Sequence, residues 1–240
     1  MPSWISADIF NIYNQTYFYD NKSRYETITL AHLEYTNNTE LRGKDHIMGH
    51  SQSDKLRTHE RILDVAAKRF RERGIEGVSI SEIMKEVGIT VGGFYKHFSS
   101  REALVAEAVS VAFEDTADWN ELAKYQLNKA IDQYLSSAQH DNLESCAAFT
   151  CLAADIRRSN PATRDIFNRN LEEALAAVEQ GLGRNNTARR AHKAATIFAT
   201  LVGASLLARG TSDEKLARVL LSSVSQELHF TYFSEIVPSL

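Results

Sequence analysis

Apolar residues at Ile62, Leu63, Ala66, Ala67 and Phe70 recur at three- and four-residue spacing, which predicts one amphipathic helix over 57–73. Gly74 follows as its C-terminal stop. Ser79, with Glu82 three residues on, forms a capping-box pattern, so a second helix opens there with Ile80, Ile83 and Val87 inward and Gly88 at its end. Thr90 reads as the cap of a third, short helix, whose Phe94 and Phe98 lie four apart and face a core. Ser99 or Ser100 caps a longer segment carrying Leu104, Ala108 and Val111.

Beyond Asp118 the helical text has few breaks, with helices expected at about 119–139, 143–158, 161–181, 188–209 and 213–229. Asn160-Pro161 supplies a cap followed by proline at the first helical position. The pattern is all-α: a three-helix N-terminal module, a connecting helix and a larger five-helix bundle. Residues 1–47 differ, being rich in Asn and Tyr without a sustained period. They are expected to be either a loosely docked arm or an extension ahead of a natural start at Met48.

Composition agrees, since Ala, Leu, Glu and Arg recur while proline is scarce. A net charge of −4 gives no global signature of nucleic-acid binding, so any such binding must come from a local patch. No uninterrupted apolar run reaches the ~20 residues of a membrane span, and the first residues lack the form of a signal peptide. A cytoplasmic protein without membrane attachment is expected. No Cys/His cluster has metal spacing, and no cofactor motif is present. If Cys146 and Cys151 share one helix they lie about 140° apart around its axis, which prevents a bridge.

The segment "ITVGGFYKHFSSREAL" carries the chemistry. Two short helices joined by "GIT" make a helix-turn-helix, and the second can enter a DNA major groove only if its leading turn is slim. Gly92 and Gly93 occupy that turn at a cost in helix propensity of roughly 1 kcal/mol each. Tyr95, Lys96, His97 and Arg101 are groups suited to phosphate. Thr90, Val91 and Ser81 are placed to face base edges, and Lys96 is equally able to read guanine. The run "KRFRER" reads as a solvated helix face, and Lys55 and Arg57 are better phosphate candidates.

The stretch from Arg57 to Val109, with its G-x-F-Y-x-H-F-x-S-[KR]-E-x-L pattern, resembles the DNA-binding domain of the tetracycline-repressor (TetR) family of bacterial regulators. The resemblance implies phosphate contacts from Tyr95, His97 and Arg101. It implies phosphate or base contacts from Ser79, Ser81, Thr90, Val91, Gly92, Gly93 and Lys96. An arginine opens the fourth helix where the family usually has lysine. The chain then divides into an extension over 1–50, a helix-turn-helix domain over 51–100 and a ligand-binding and dimerisation domain over 101–240.

In such a protein the larger half binds a small-molecule effector and pairs two copies. Trp119, Tyr125, Tyr134, Phe149 and Phe167 are the candidate pocket residues, each also readable as plain core. The segment "AATIFATLVGASLLA" is apolar on most of its circumference, with Ala195, Ala199, Gly203 and Ala204 among larger residues. Together with Leu216, Leu220, Val224 and Leu228 it is expected to form a homodimer interface suited to a palindromic operator. The expected function is a DNA-binding repressor released by an inducer. Alternatives are a redox- or electrophile-sensing regulator using Cys146 or Cys151, a cysteine-dependent enzyme, and a helical interaction module; no catalytic constellation supports the enzyme.

Overall fold

A computed structural model describes residues 46–136, 147–183 and 189–233. The expectations for residues 1–45 lie outside these. Residues 54–240 form one compact unit, distinct from the residues before them. All regular structure among the described residues is helical. The elements are α1 (His46–Arg73), α2 (Ile80–Val87), α3 (Val91–Phe94), α4 (Arg101–Ala112), α5 (Asp115–Tyr125), α6 (Leu127–Tyr134), α7 (Ala148–Ile156), α8 (Pro161–Gly181), α9 (Arg190–Gly210) and α10 (Glu214–Phe233). Helix α1 begins eleven residues before the start at 57 that the pattern predicts.

Within residues 54–240 the expected stops and caps are in place. Gly74 and Gly88 both adopt positive φ, the left-handed backbone that glycine takes without a Cβ penalty. Ser79 and Glu82 close a complete capping box, with the Ser79 amide donating to Glu82 at 2.8 Å and the Glu82 amide donating to Ser79 Oγ at 3.2 Å. These bonds and Arg73 hold the Glu82 carboxyl down at about 2. The Ser100 and Asn160 side chains cap α4 and α8, and Pro161 opens α8. Thr90 differs. It stands at the cap position of α3, yet its hydroxyl makes no capping bond, because the Gly93 amide donates to the Thr90 carbonyl instead.

Two expected helices are shorter than their text. The one expected over 119–139 is interrupted at Gln126, which sits at φ −143° and ψ 59°. No glycine or proline marks the break. Its physical cause is tertiary: α8 crosses α5 so closely that a Cβ on Gly181 would lie 2.1 Å from the Ala123 carbonyl oxygen and 2.9 Å from Leu127 Cβ. The bend also lets Trp119 Nε1 donate to the Ala130 carbonyl at 3.0 Å. The helix expected over 143–158 begins only at Ala148, with extended backbone at Ala147, so it carries Cys151 but not Cys146. Cys151 is disulfide-bonded, and the chain's only other cysteine is Cys146, which lies outside the described residues. The argument against a bridge fails because its premise, one continuous helix, does not hold.

The bundle packs α8 against α4, α5 and α9, and α9 against α7 and α10. Helix α9 is long and apolar enough, by length and composition, to cross a membrane. Here Ala194, Ile197, Phe198, Leu201, Ala204 and Ala208 instead bury one of its faces among the neighbouring helices. Close helix crossing sets the sign of one prediction. Replacing Gly181 with Ala improves helix propensity, but the new methyl meets backbone that cannot yield. Gly181→Ala is expected to lower stability by about 1–3 kcal/mol, read as a lower thermal midpoint. A rise would show that the α5–α8 crossing relaxes freely.

Candidate nucleic-acid interface

The outward face of α2 and α3 is built by what lies beneath it. A four-residue helix cannot sustain itself. Phe94, fully buried, and Phe98 anchor α3 to the core, their rings 5.5 Å apart. From Lys96 to His97 the chain continues in tight turns, with Lys96 N–H donating to Gly93 and His97 N–H to Phe94. Burying the two phenylalanines turns the intervening residues outward. Tyr95 is 71% exposed and Val91 47%, and Ser79, Ser81, Thr90, Gly92 and Lys96 are also exposed.

Neither α3 glycine is demanded by the fold. A Cβ on Gly92 would come no nearer than 4.0 Å to Thr90 Oγ1, and one on Gly93 would meet only Thr90 Oγ1 at 3.9 Å and Met84 Cε at 4.0 Å. Those are ordinary contacts. The bare tip therefore answers no packing need inside the subunit.

Beside it lies a shallow depression of about 640 Å³ lined by Thr58, Lys85, Gly88, Ile89, Thr90, Gly93, Lys96 and His97. Thr90, Gly93, Lys96 and His97 are DNA-contact candidates of the sequence; Thr58, Lys85, Gly88 and Ile89 are not. Lys85 was legible as a polar position of an amphipathic helix, but Thr58 comes from α1 and joins the rim only through tertiary packing. His97 is half-buried, and its Nδ1 is buried without a hydrogen-bond partner. Burial first, then the charges of His59, Lys55 and Lys96, hold the His97 pKa below its ordinary value. His59 itself stacks on Phe98 at 4.5 Å and pairs with Glu107 at 2.8 Å.

The remaining basic groups divide into those turned inward and those left outward. Arg101 donates to the carbonyls of Ile75 at 2.6 Å and Val78 at 3.1 Å, so its guanidinium is engaged in holding the turn after α1. Arg57 pairs with Asp54 at 2.7 Å. In the "KRFRER" run Arg69 makes two parallel bonds to Glu86, Arg71 reaches Asp115 and Arg73 reaches Glu82, all near 3 Å. That run is scaffold between α1 and its neighbours rather than a solvated face. Arg61 adds a bond to the Val87 carbonyl at the end of α2.

Four of the five pocket candidates come together. Trp119, Tyr134 and Phe149 are buried and Phe167 half-buried, in an edge-to-face cluster completed by Phe113 and Phe198. Tyr134 and Thr150 share a buried hydroxyl contact of 3.2 Å, and burial pushes the Tyr134 pKa up to about 12. Tyr125 stands apart, 73% exposed on the far side of α5. Among the described residues no group of three or more His, Cys, Asp or Glu is arranged to hold a metal ion.

Comparison with known proteins follows this division of the chain. Residues 62–108 match the family described as bacterial regulatory proteins, tetR family. Over 59 residues the chain is 37% identical to an uncharacterized HTH-type transcriptional regulator, YdgC, of Bacillus subtilis, covering 25% of this chain and 30% of that protein. It is 38% identical over 53 residues to the HTH-type transcriptional regulator SAB2452 of Staphylococcus aureus, covering 22% of this chain and 29% of that one. The chain thus matches less than a third of the length of these relatives. Likeness of fold extends further. A TetR transcriptional regulator of Chloroflexus aurantiacus superposes with a TM-score of 0.61 at 22% identity, over 73% of this chain and 96% of that one. Escherichia coli NemR in its reduced form gives 0.58 at 18%, over 70% and 95%. Residues 62–108 are thus similar in sequence to the tetR family of bacterial regulatory proteins, and the chain shares the fold of the solved TetR regulators.

Proposed function

We propose that the chain is a homodimeric transcriptional repressor of the cytoplasm that binds a palindromic DNA operator and is released by a small-molecule inducer. The observation that carries the DNA-binding part is the α3 tip. Gly92 and Gly93 are bare where nothing inside the subunit requires it, and Val91, Tyr95 and Lys96 stand uncovered around them. A surface of that shape suits a groove that excludes bulky leading residues. Ser79, Ser81, Tyr95, Lys96 and Lys85 would hold phosphates, while Thr90 and Val91 face the bases. His97 joins them through proton uptake. Arg101 acts from beneath, by fixing the turn rather than by touching phosphate.

Pairing is supported by the uncovered side of α9 and α10. Leu206, Leu207, Leu216 and Val219 are at least half exposed, and Ala195 and Ala199 are exposed on the same helix as Gly203. A Cβ on Gly203 would meet nothing within 4 Å inside the subunit. Leu220 and Val224 are half-buried and Leu228 buried, so the expected stripe on α10 serves the subunit core at one end and a second copy at the other. Two copies joined there would present two α3 tips to half-sites about one helical turn apart. The aromatic cluster is where an apolar effector would insert, acting only insofar as it binds the released state better than the DNA-bound one.

Selection from random or genomic duplexes tests the reading. Wild type is expected to recover one palindromic sequence, and failure to enrich any duplex would end the proposal. Gly92→Leu should abolish binding of that duplex without lowering the thermal midpoint. Lys96→Gln should weaken it and reduce the slope of log affinity against log salt by about one.

A proton-linked outcome follows from His97. Its pKa is lowered in the free protein, whereas a phosphate beside the ring favours the charged imidazolium. DNA binding should therefore take up a proton, and affinity should rise as pH falls through the ordinary imidazole range. Loss of that rise in His97→Gln is the expected result, and an unchanged pH profile would assign the proton elsewhere. For the dimer, Leu206→Glu combined with Val219→Glu should yield monomers by sedimentation while leaving the helical content intact. A dimer that survives both charges would place the interface on another face.

A further inference from the structure

The end of the body remote from the helix-turn-helix carries a second basic surface. Helix α8 starts beside α4, where the Asn160 amide reaches the Glu102 carbonyl at 3.5 Å, and it runs 21 residues, about 30 Å, to Gly181. Arg190 then donates to the Gly183 carbonyl at 3.0 Å, which fixes the start of α9 against that far end. Between the first turns of α9 and the last turn of α10 lies a cavity of about 540 Å³ lined by Arg189, His192, Lys193, Thr196 and Tyr232.

Nothing acidic lines it. The Lys193 ammonium stands 5.8 Å from the centre of the Tyr232 ring rather than against a carboxylate. Among the described residues Arg189, His192 and Lys193 make no ion pair, whereas Arg190 beside them lies 3.9 Å from Glu179. The Thr196 hydroxyl donates to the His192 carbonyl at 2.9 Å, which leaves its lone pairs for a ligand. Basic groups gathered round a concave surface without a counter-charge focus their attraction on an anion. Arg189 and Lys193 carry two fixed positive charges between them. A carboxylate answers one of these; a phosphate monoester answers nearly both and brings three acceptor oxygens for the donors of Arg189, His192, Lys193 and Tyr232. A cavity of this size also has room for an organic remainder.

We propose that this cavity is a binding site for a phosphate group, free or carried by a small ester, and that its occupancy strengthens the pairing of two copies. Binding of the phosphate depends on neither functional reading above, whereas the effect on pairing rests on the homodimer proposed there. His192, Thr196, Ala199, Gly203 and Leu206 follow one another at three- and four-residue spacing, so the cavity opens at one end of the α9 face that carries the pairing surface. A two-fold that turns both α3 tips to one duplex brings the two remote ends together on the other side, where their cations repel. A bound dianion at each removes that repulsion, so ligand and partner copy favour one another by the same factor.

The test is calorimetric titration of full-length protein with inorganic phosphate, glucose 6-phosphate and gluconate in chloride buffer. Both phosphates are expected to bind once per chain, and gluconate about tenfold more weakly. A several-fold advantage of the ester assigns an ester as the ligand, and equal affinity assigns free phosphate. Arg189→Gln and Lys193→Gln should each weaken binding about tenfold, the scale of a charge-assisted hydrogen bond, with the ligand-free thermal midpoint unchanged. Lys96→Gln, on the helix-turn-helix, should bind both phosphates as wild type does. In sedimentation, saturating glucose 6-phosphate should lower the dimer dissociation constant of wild type several-fold. The Arg189→Gln, Lys193→Gln double variant should pair more tightly than wild type without ligand and show no response to it. Failure of both phosphates to bind at millimolar concentration, equal binding of gluconate, or loss of binding in Lys96→Gln alone would each overturn the site. A dimer constant that the ligand leaves unmoved would overturn the link to pairing. A chain that stays monomeric at every concentration ends the homodimer reading and that link with it, while calorimetry still decides the site.

Discussion

Burial of Phe94 at the end of a four-residue helix is the constraint on which the outward face depends. So short a helix lacks the hydrogen bonds to hold itself, and its orientation is set by where its one large apolar group goes. With Phe94 and Phe98 both in the core and their rings stacked, Val91, Tyr95 and Lys96 have no direction left but outward. Truncating either ring would remove contacts worth about 3–5 kcal/mol, and the geometry of the tip would go with them.

Around that anchor the charged residues are sorted by role. Arg61, Arg69, Arg73 and Arg101 turn inward to carbonyls or carboxylates of neighbouring elements, tying α1 to α2 and the following turn to α4. Single exposed ion pairs contribute little. The two parallel bonds from Arg69 to Glu86 and the carbonyl bonds of Arg61 and Arg101 fix geometry more than they add stability. Lys85 and Lys96 are left at the rim of the open depression. A protein of net charge −4 can thereby present a local cationic rim, because Arg61, Arg69 and Arg101 are engaged by neighbouring elements while Lys85 and Lys96 stand at the depression.

The larger bundle repeats the economy with aromatic rings. Six rings, from Phe113 at the end of α4 to Phe198 of α9, meet edge to face and fill the region where these helices come together. Helix α7 has one end in that cluster and the other at the Gly74–Ile75 turn.

The sequence by itself determined the helix count of the N-terminal module, its caps and stops, the buried phenylalanine pair and the bare glycine tip. Each follows from chemistry that acts within a few residues: 3.6-residue periodicity, a serine and glutamate three apart, a glycine in left-handed backbone. Only the tertiary structure decided the break at Gln126, the late start of α7 with Cys151 bonded, the exposure of Tyr125 and the inward duty of Arg101. Those depend on which distant element arrives at close range. Gly181 against Ala123, Asp155 against Ile75 and Arg101 against Val78 are contacts across long stretches of chain, and no local pattern carries the position of a partner that only packing delivers.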